Sequence, residues 1–178
     1  MRPKPPPNYL AGYPAPLVAQ VRQLIEDKQL ADILLKKYPL AHSVRTDKAL
    51  YDYVHELKGK YLRNAAQLSL VAFDSTLKVT QQALGLHTTQ SRVQGTKLKA
   101  KREIRVAALF KAMPLEFLRM IVVHELAHLK EREHDKAFYQ LCRHMEPEYH
   151  QFEFDLRAYL TLLEVSDRPL WSPLPEER

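Results

Sequence analysis

Apolar residues recur at helical spacing through "APLVAQVRQLIEDKQLADILLKKYP", at Leu17, Val21, Leu24 and Ile25, then at Leu30, Ile33 and Leu34. The run stops before Pro39, which disfavours the α region in the residue ahead of it. "TDKALYDYVHELKGKYLRNA" predicts a second helix, with Thr46 or Asp47 as cap and Tyr51, Val54, Leu57 and Tyr61 as its buried stripe. The texture then changes. "LSLVAF" and "TLKVTQ" flank Asp74-Ser75 and predict a β-hairpin. "LGLHTTQSRVQG" reads as an irregular connection or a short strand, and "REIRVAALF" as a strand with Ile104, Val106 and Ala108 on one face. Pro114 opens a helix at its first turn, "PLEFLRMIVVHELAHLK", with Leu118, Ile121, Val122, Glu125 and Leu129 on one side. Asp135 can cap "KAFYQLCRHM", and Pro147 starts a last helix, "PEYHQFEFDLRAYLTLLEV".

Helices, a small sheet and then helices make an α+β protein. Residues 1–15 read as a Pro-rich arm, residues 16–165 as one domain, and residues 166–178, with three prolines, as an extended tail. At 178 residues the chain is long enough to bury one substantial core. A lone cysteine, Cys142, allows no internal disulfide and reads as a core filler, which favours a reducing compartment. No apolar signal segment opens the chain and no run approaches a membrane span, so a cytoplasmic protein is expected. The net charge of +6 changes little, because a small basic excess is usually a solvated surface.

The candidate chemistry lies in "VVHELAHLKEREH". Four residues apart on a helix, His124 and His128 present both rings on one face, within reach of one ion. Glu125 is offset by about a hundred degrees and can take a proton from a water activated by the metal without ligating the metal itself. The competing reading makes them surface histidines of an amphipathic helix. A zinc hydrolase usually needs a third protein ligand. His134 is ten residues past His124, about 15 Å along an unbroken helix, so the helix must end near Lys130–Glu133 and turn back. The metzincin pattern makes that turn with a glycine, where this chain has Glu131. Glu148 or Glu153 is the alternative third ligand; Asp135, a natural new helix start, favours His134. Tyr149, Tyr159, Arg92 and Arg157 are candidates for stabilising an oxyanion. Among the other histidines, His144 and His150 read as surface residues, His55 as structural, and His42 and His87 as loop residues.

"SRVQGTKLKAKREIRVAALF" followed by "FLRMIVVHELAHLKEREHDKAFYQLCRHMEPEYHQFEFD" closely resembles the bacterial YgjP-like proteins. "LAGYP", "TDKALYDYVHELK" and "ALGLHTTQSRVQG" extend the likeness over roughly residues 9–165. The resemblance implies a zincin-like fold, a small sheet packed against the HExxH helix with additional N- and C-terminal helices. The family pattern falls on His124, Glu125, His128, His134 and Phe138. Many members of the wider set carry a Trp-Gly-Ser-Cys stretch where this chain has Val93-Gln94-Gly95-Thr96, so nothing carried by that Trp or Cys transfers. The resemblance implies a Zn²⁺-dependent hydrolase, or one using another divalent cation. Its family name suggests a peptidase, and the likeness also suggests hydrolysis of a nucleoside triphosphate, UTP in particular, to monophosphate and diphosphate.

One feature of the residues bears on that choice. "KLKAKR" places Lys97, Lys99 and Lys101 at alternate positions, one face of an extended segment, with Arg92 nearby. A row of cations beside the cleft suits a polyphosphate. A peptide adding to the sheet edge would not need it, and lysines equally blunt an exposed edge against aggregation. No Walker-type loop or Rossmann fingerprint is present. The expected partner is a small-molecule nucleotide or a peptide, with nucleic acid and membrane disfavoured. A metal-binding module without catalysis is a third reading, disfavoured because a pure scaffold does not need Glu125.

Overall fold

The computed structural model describes residues 3, 5–77, 90–94 and 97–172; for residues 90–94 and 97–101 it describes the backbone alone. The described elements run α1 (Ala15–Glu26), α2 (Leu30–Lys37), α3 (Asp47–Tyr61), β1 (Leu70–Asp74), β2 (Gln90–Gln94), β3 (Lys97–Lys101), β4 (Glu103–Ala107), a 3₁₀ turn (Ala108–Ala112), α4 (Leu115–Ala127), α5 (Lys136–Met145) and α6 (Tyr149–Ser166). The class is α+β, as the order of apolar patterns predicts.

The first helical run is two helices rather than one. α1 ends in a Schellman arrangement: Gln29 N–H donates to Leu24 O and Lys28 N–H to Ile25 O, with Lys28 at φ 58. The break resets the helical phase, so Ile33 faces out while Leu30 and Leu34 are buried. In α3 the buried stripe is Leu50, Val54 and Leu57, and Tyr51 lies exposed against His55. The choice between the two caps falls on Thr46, whose hydroxyl accepts from Ala49 N–H at 3.1 Å.

The sheet departs most from expectation. β1 does not make its described pairing with the residues that follow it; it pairs parallel with β4, Val71 opposite Ile104 and Phe73 opposite Val106. Residues 78–81 of the expected hairpin and residues 84–89 of the expected connection, His87 included, lie outside the described residues. After Asp74 the chain makes an Asx turn, with Thr76 N–H donating to Asp74 Oδ1 at 2.8 Å. β4 stops at Ala107, and Ala108 belongs to the 3₁₀ turn rather than to the strand face.

α4 is the centre of the molecule. It is buried all round, with Met120, Val123 and Leu126 as inaccessible as Leu118, Ile121 and Val122. The one-sided stripe read from sequence is therefore too narrow, and α4 is the kind of helix that other elements surround. β4 packs on it through Ile104 and Val106, and α5 and α6 through Phe138, Cys142, Leu156 and Tyr159. Asp155 of α6 ties down α2, accepting from Lys37 Nζ at 2.6 Å and Tyr38 Oη at 2.5 Å.

Both ends of the described chain reach this core. Tyr9 and Leu10, in the Pro-rich stretch, are buried. So is Trp171, which lies in the expected tail; its Nε1–H donates to Tyr38 O at 2.6 Å and its ring stands against Phe117 and Tyr159.

Candidate metal centre

α4 carries His124 in its last turn and ends at Ala127, with His128 as its cap. The helix closes by tightening. Leu129 N–H donates to Leu126 O and Lys130 N–H to Ala127 O, both three residues back, and Glu131 N–H also reaches Ala127 O at 2.9 Å. Arg102, just before β4, donates to Leu129 O at 3.0 Å and holds the turn from outside. No residue here has positive φ, so the reversal needs no glycine at position 131. The chain then reaches Asp135, whose carboxylate accepts from Phe138 N–H at 3.0 Å and starts α5. His134 sits immediately before that cap.

This path brings three imidazoles together. Nε2 of His128 lies 3.3 Å from Nε2 of His124 and 2.9 Å from Nε2 of His134, and the last two are 3.3 Å apart. Nitrogens bound at about 2.0–2.1 Å to one tetrahedral ion stand about 3.3–3.4 Å from each other. Two of the three separations match that value and the third is shorter, a group compact enough to converge on a single small cation.

The opposite ring edge fixes the tautomer of His128 and supports that of His124. His128 Nδ1 lies 3.0 Å from Glu131 O, and a carbonyl can only accept, so Nδ1 carries the proton and Nε2 presents a lone pair. His124 Nδ1 lies 2.7 Å from Tyr149 Oη. The hydroxyl oxygen can accept from His124 Nδ1–H, an arrangement in which Nε2 presents its lone pair to the cluster. Lone pairs thus converge from His124 and His128, as metal-binding imidazoles require. Phe138 is wholly buried beneath the cluster, its ring centroid 5.0, 4.5 and 4.9 Å from those of His124, His128 and His134. The three histidines could hold a metal ion.

Glu125 is fully buried on the same helix turn. Glu148 and Glu153 do not belong to the cluster: Glu148 is exposed, and Glu153 Oε1 takes two hydrogen bonds from Arg157. Of the oxyanion candidates, Tyr149 is buried and engaged by His124, and burial pushes its hydroxyl well above the usual range. Tyr159 is buried beside Trp171, and three of the five N–H groups of Arg157 go to Glu153 and to Tyr9 O. β2 and β3 form an antiparallel ribbon with Arg92 opposite Lys99 and Gln94 opposite Lys97; the side chains of Arg92, Lys97, Lys99 and Lys101 lie outside the described residues. The supporting role of Tyr149 toward His124 has no signature in the sequence, since 25 residues and a helix separate the two.

An HExxH helix at the centre of an α+β core, followed by a turn that returns a third histidine, defines a small zincin-like domain. The chain belongs to the YgjP-like family, matching the YgjP-like, metallopeptidase domain over residues 9–159. It is 58% identical over 163 residues to the UTP pyrophosphatase of Escherichia coli (strain K12), covering 92% of this chain and 98% of that one. No solved structure matches significantly. Among the described residues, no helix is long and apolar enough to cross a membrane.

Proposed function

We propose that this protein is a metal-dependent pyrophosphatase that hydrolyses UTP to UMP and diphosphate, with His124, His128 and His134 holding Zn²⁺ and Glu125 as general base. The observation that carries the reading is 58% identity, spread over nearly the whole length of both chains, to a UTP pyrophosphatase. Three imidazole donors favour zinc over the harder magnesium or manganese. Held by the three histidines, the ion would supply Lewis acidity, lowering the pKa of a water toward neutrality and offsetting negative charge on phosphate. Glu125 accepts the proton of the attacking water, whose oxygen bonds to the α-phosphorus as the bond to the diphosphate oxygen breaks. Its burial keeps that carboxylate out of bulk solvent, where its field on the proton is strongest. Phe138 and the turn at Glu131 hold the ligand rings in register.

Tyr149 supports His124 from behind. In Tyr149→Phe the metal affinity is expected to fall about 10–100-fold, the usual cost of losing such a partner. Competition with a chromophoric chelator measures this, and unchanged affinity would remove the hydroxyl from the account. Lys97, Lys99 and Lys101, with Arg92, are proposed to bind the polyphosphate. Reversing the three lysine charges is expected to raise KM for UTP at least tenfold while metal content stays constant; an unchanged KM would leave those lysines with the sheet edge alone.

The second reading is a zinc metallopeptidase, favoured by the description of the family itself. Incubating zinc-loaded protein with each of the four nucleoside triphosphates, and separately with casein and a peptide library, decides between them. Diphosphate release from UTP is the expected result. Peptide cleavage without diphosphate release would replace the proposal with the second reading.

A further inference from the structure

A cleft of about 260 Å³ opens beside the histidine cluster, lined by Gly12, Tyr13, Tyr139, His150, Glu153 and Arg157. None of these belongs to the metal centre, yet the two are adjacent. Tyr139 directly follows Phe138 on α5, and its ring centroid lies 6.5 Å from that of His134 and 5.4 Å from that of His150. The other wall comes from "LAGYP", a stretch with no role in the metal centre. There Tyr13 N–H donates to Leu10 O at 3.2 Å, closing a turn with Gly12 at φ 87 in its third position. That position of a type II turn requires φ above zero, which glycine supplies without strain. The turn fixes Tyr13, whose ring also packs on Phe154 at 5.2 Å between centroids.

Between these aromatic walls lies one shielded ion pair. Glu153 Oε1 accepts from Arg157 Nε at 3.2 Å and Nη2 at 3.0 Å, with side-chain exposures of 16% and 14%. Arg157 Nη1 donates to Tyr9 O at 2.9 Å. Three of the five guanidinium N–H groups are thereby used, leaving two. Glu153 Oε2 has no hydrogen-bond partner among the described residues. The pair therefore offers a strong acceptor next to strong donors, between aromatic faces, in a partly desolvated cleft.

Building on the nucleotide reading above, we infer that this cleft is the nucleobase subsite: uracil lies against Tyr13 and Tyr139, its N3–H donating to Glu153 and an adjacent carbonyl accepting from Arg157. The placement suits cleavage at the α-phosphorus, because only the ribose separates that atom from the base. An N–H flanked by carbonyls is the edge that a carboxylate beside a guanidinium complements. Stacking on the tyrosines adds affinity for any base, and the ion pair reads the edge.

The test compares UMP with 3-methyluridine 5′-monophosphate, which lacks the N3–H, by calorimetric titration of the zinc-loaded protein. UMP is expected to bind at least tenfold more tightly, and Glu153→Leu to bind the two alike. Tyr13→Leu and Tyr139→Leu are expected to raise KM for UTP roughly tenfold each, with kcat and metal content unchanged. Equal binding of the two monophosphates by a wild-type protein that hydrolyses UTP overturns the subsite and leaves the pyrophosphatase reading intact. A wild-type protein that fails to hydrolyse UTP, yet prefers UMP over its methylated analogue, overturns the pyrophosphatase reading and upholds the subsite.

Discussion

Glu125→Gln is expected to slow diphosphate release from UTP by about 10²–10⁴-fold, the usual contribution of a positioned general base. Glutamine keeps the size of the side chain and cannot take a proton. The substitution sits in the interior of α4, where Glu125 is wholly inaccessible. An amide there replaces a buried carboxylate, so the fold is expected to persist, and Tm monitored by circular dichroism checks that it does. Glu131, Tyr149 and Phe138 each contact at least one of the three proposed ligand rings, so zinc content after dialysis is expected to match wild type. The expected signature is a loss in kcat with metal and fold retained. Activity within threefold of wild type would take the base role away from Glu125.

Much of this site is legible in the sequence, for a physical reason. The placement of His124 and His128 on one helix face is a local property, fixed by the helical repeat alone. Asp135 likewise announces its helix through a short-range cap, and the structure places its carboxylate on Phe138 N–H. Elements whose partner is distant are less legible. β1 reads locally as one arm of a hairpin because Asp74-Ser75 is a good turn, yet its described partner is β4, about thirty residues on and parallel. The split between α1 and α2 is hidden for a different reason: Lys28 occupies a left-handed position usually taken by glycine, so the sequence carries no stop signal. α4 reads as one-sided because Leu118, Ile121, Val122, Glu125 and Leu129 share a stripe, whereas Met120, Val123 and Leu126 off that stripe are equally buried and Arg119 pairs with Glu146. The bond from Tyr149 to His124 and the cleft behind Tyr13 depend on tertiary packing, which no local pattern encodes.

The turn after α4 leads to the second large effect. His134→Ala is expected to weaken zinc binding by more than about a hundredfold and to abolish diphosphate release at limiting zinc, since it removes a proposed direct ligand rather than a supporting partner. His134 is exposed, follows the turn held by Arg102, and precedes a cap made by Asp135 rather than by itself. Its loss therefore disturbs the fold little, and α5 is expected to keep its start. His124 and His128 remain, and their lone pairs still converge, so weak zinc binding is expected to survive with a recoverable activity at high metal concentration. Metal content after dialysis, followed by zinc titration of activity, separates this outcome from a folding defect. Full zinc occupancy in the variant would exclude His134 as a ligand and reopen the question of a carboxylate. The turn at Glu131 explains why the structure favours the histidine. The turn ends α4 and lets the chain reverse instead of running on for the length of about 15 Å that an unbroken helix would span, which leaves His134 Nε2 2.9 Å from His128 Nε2.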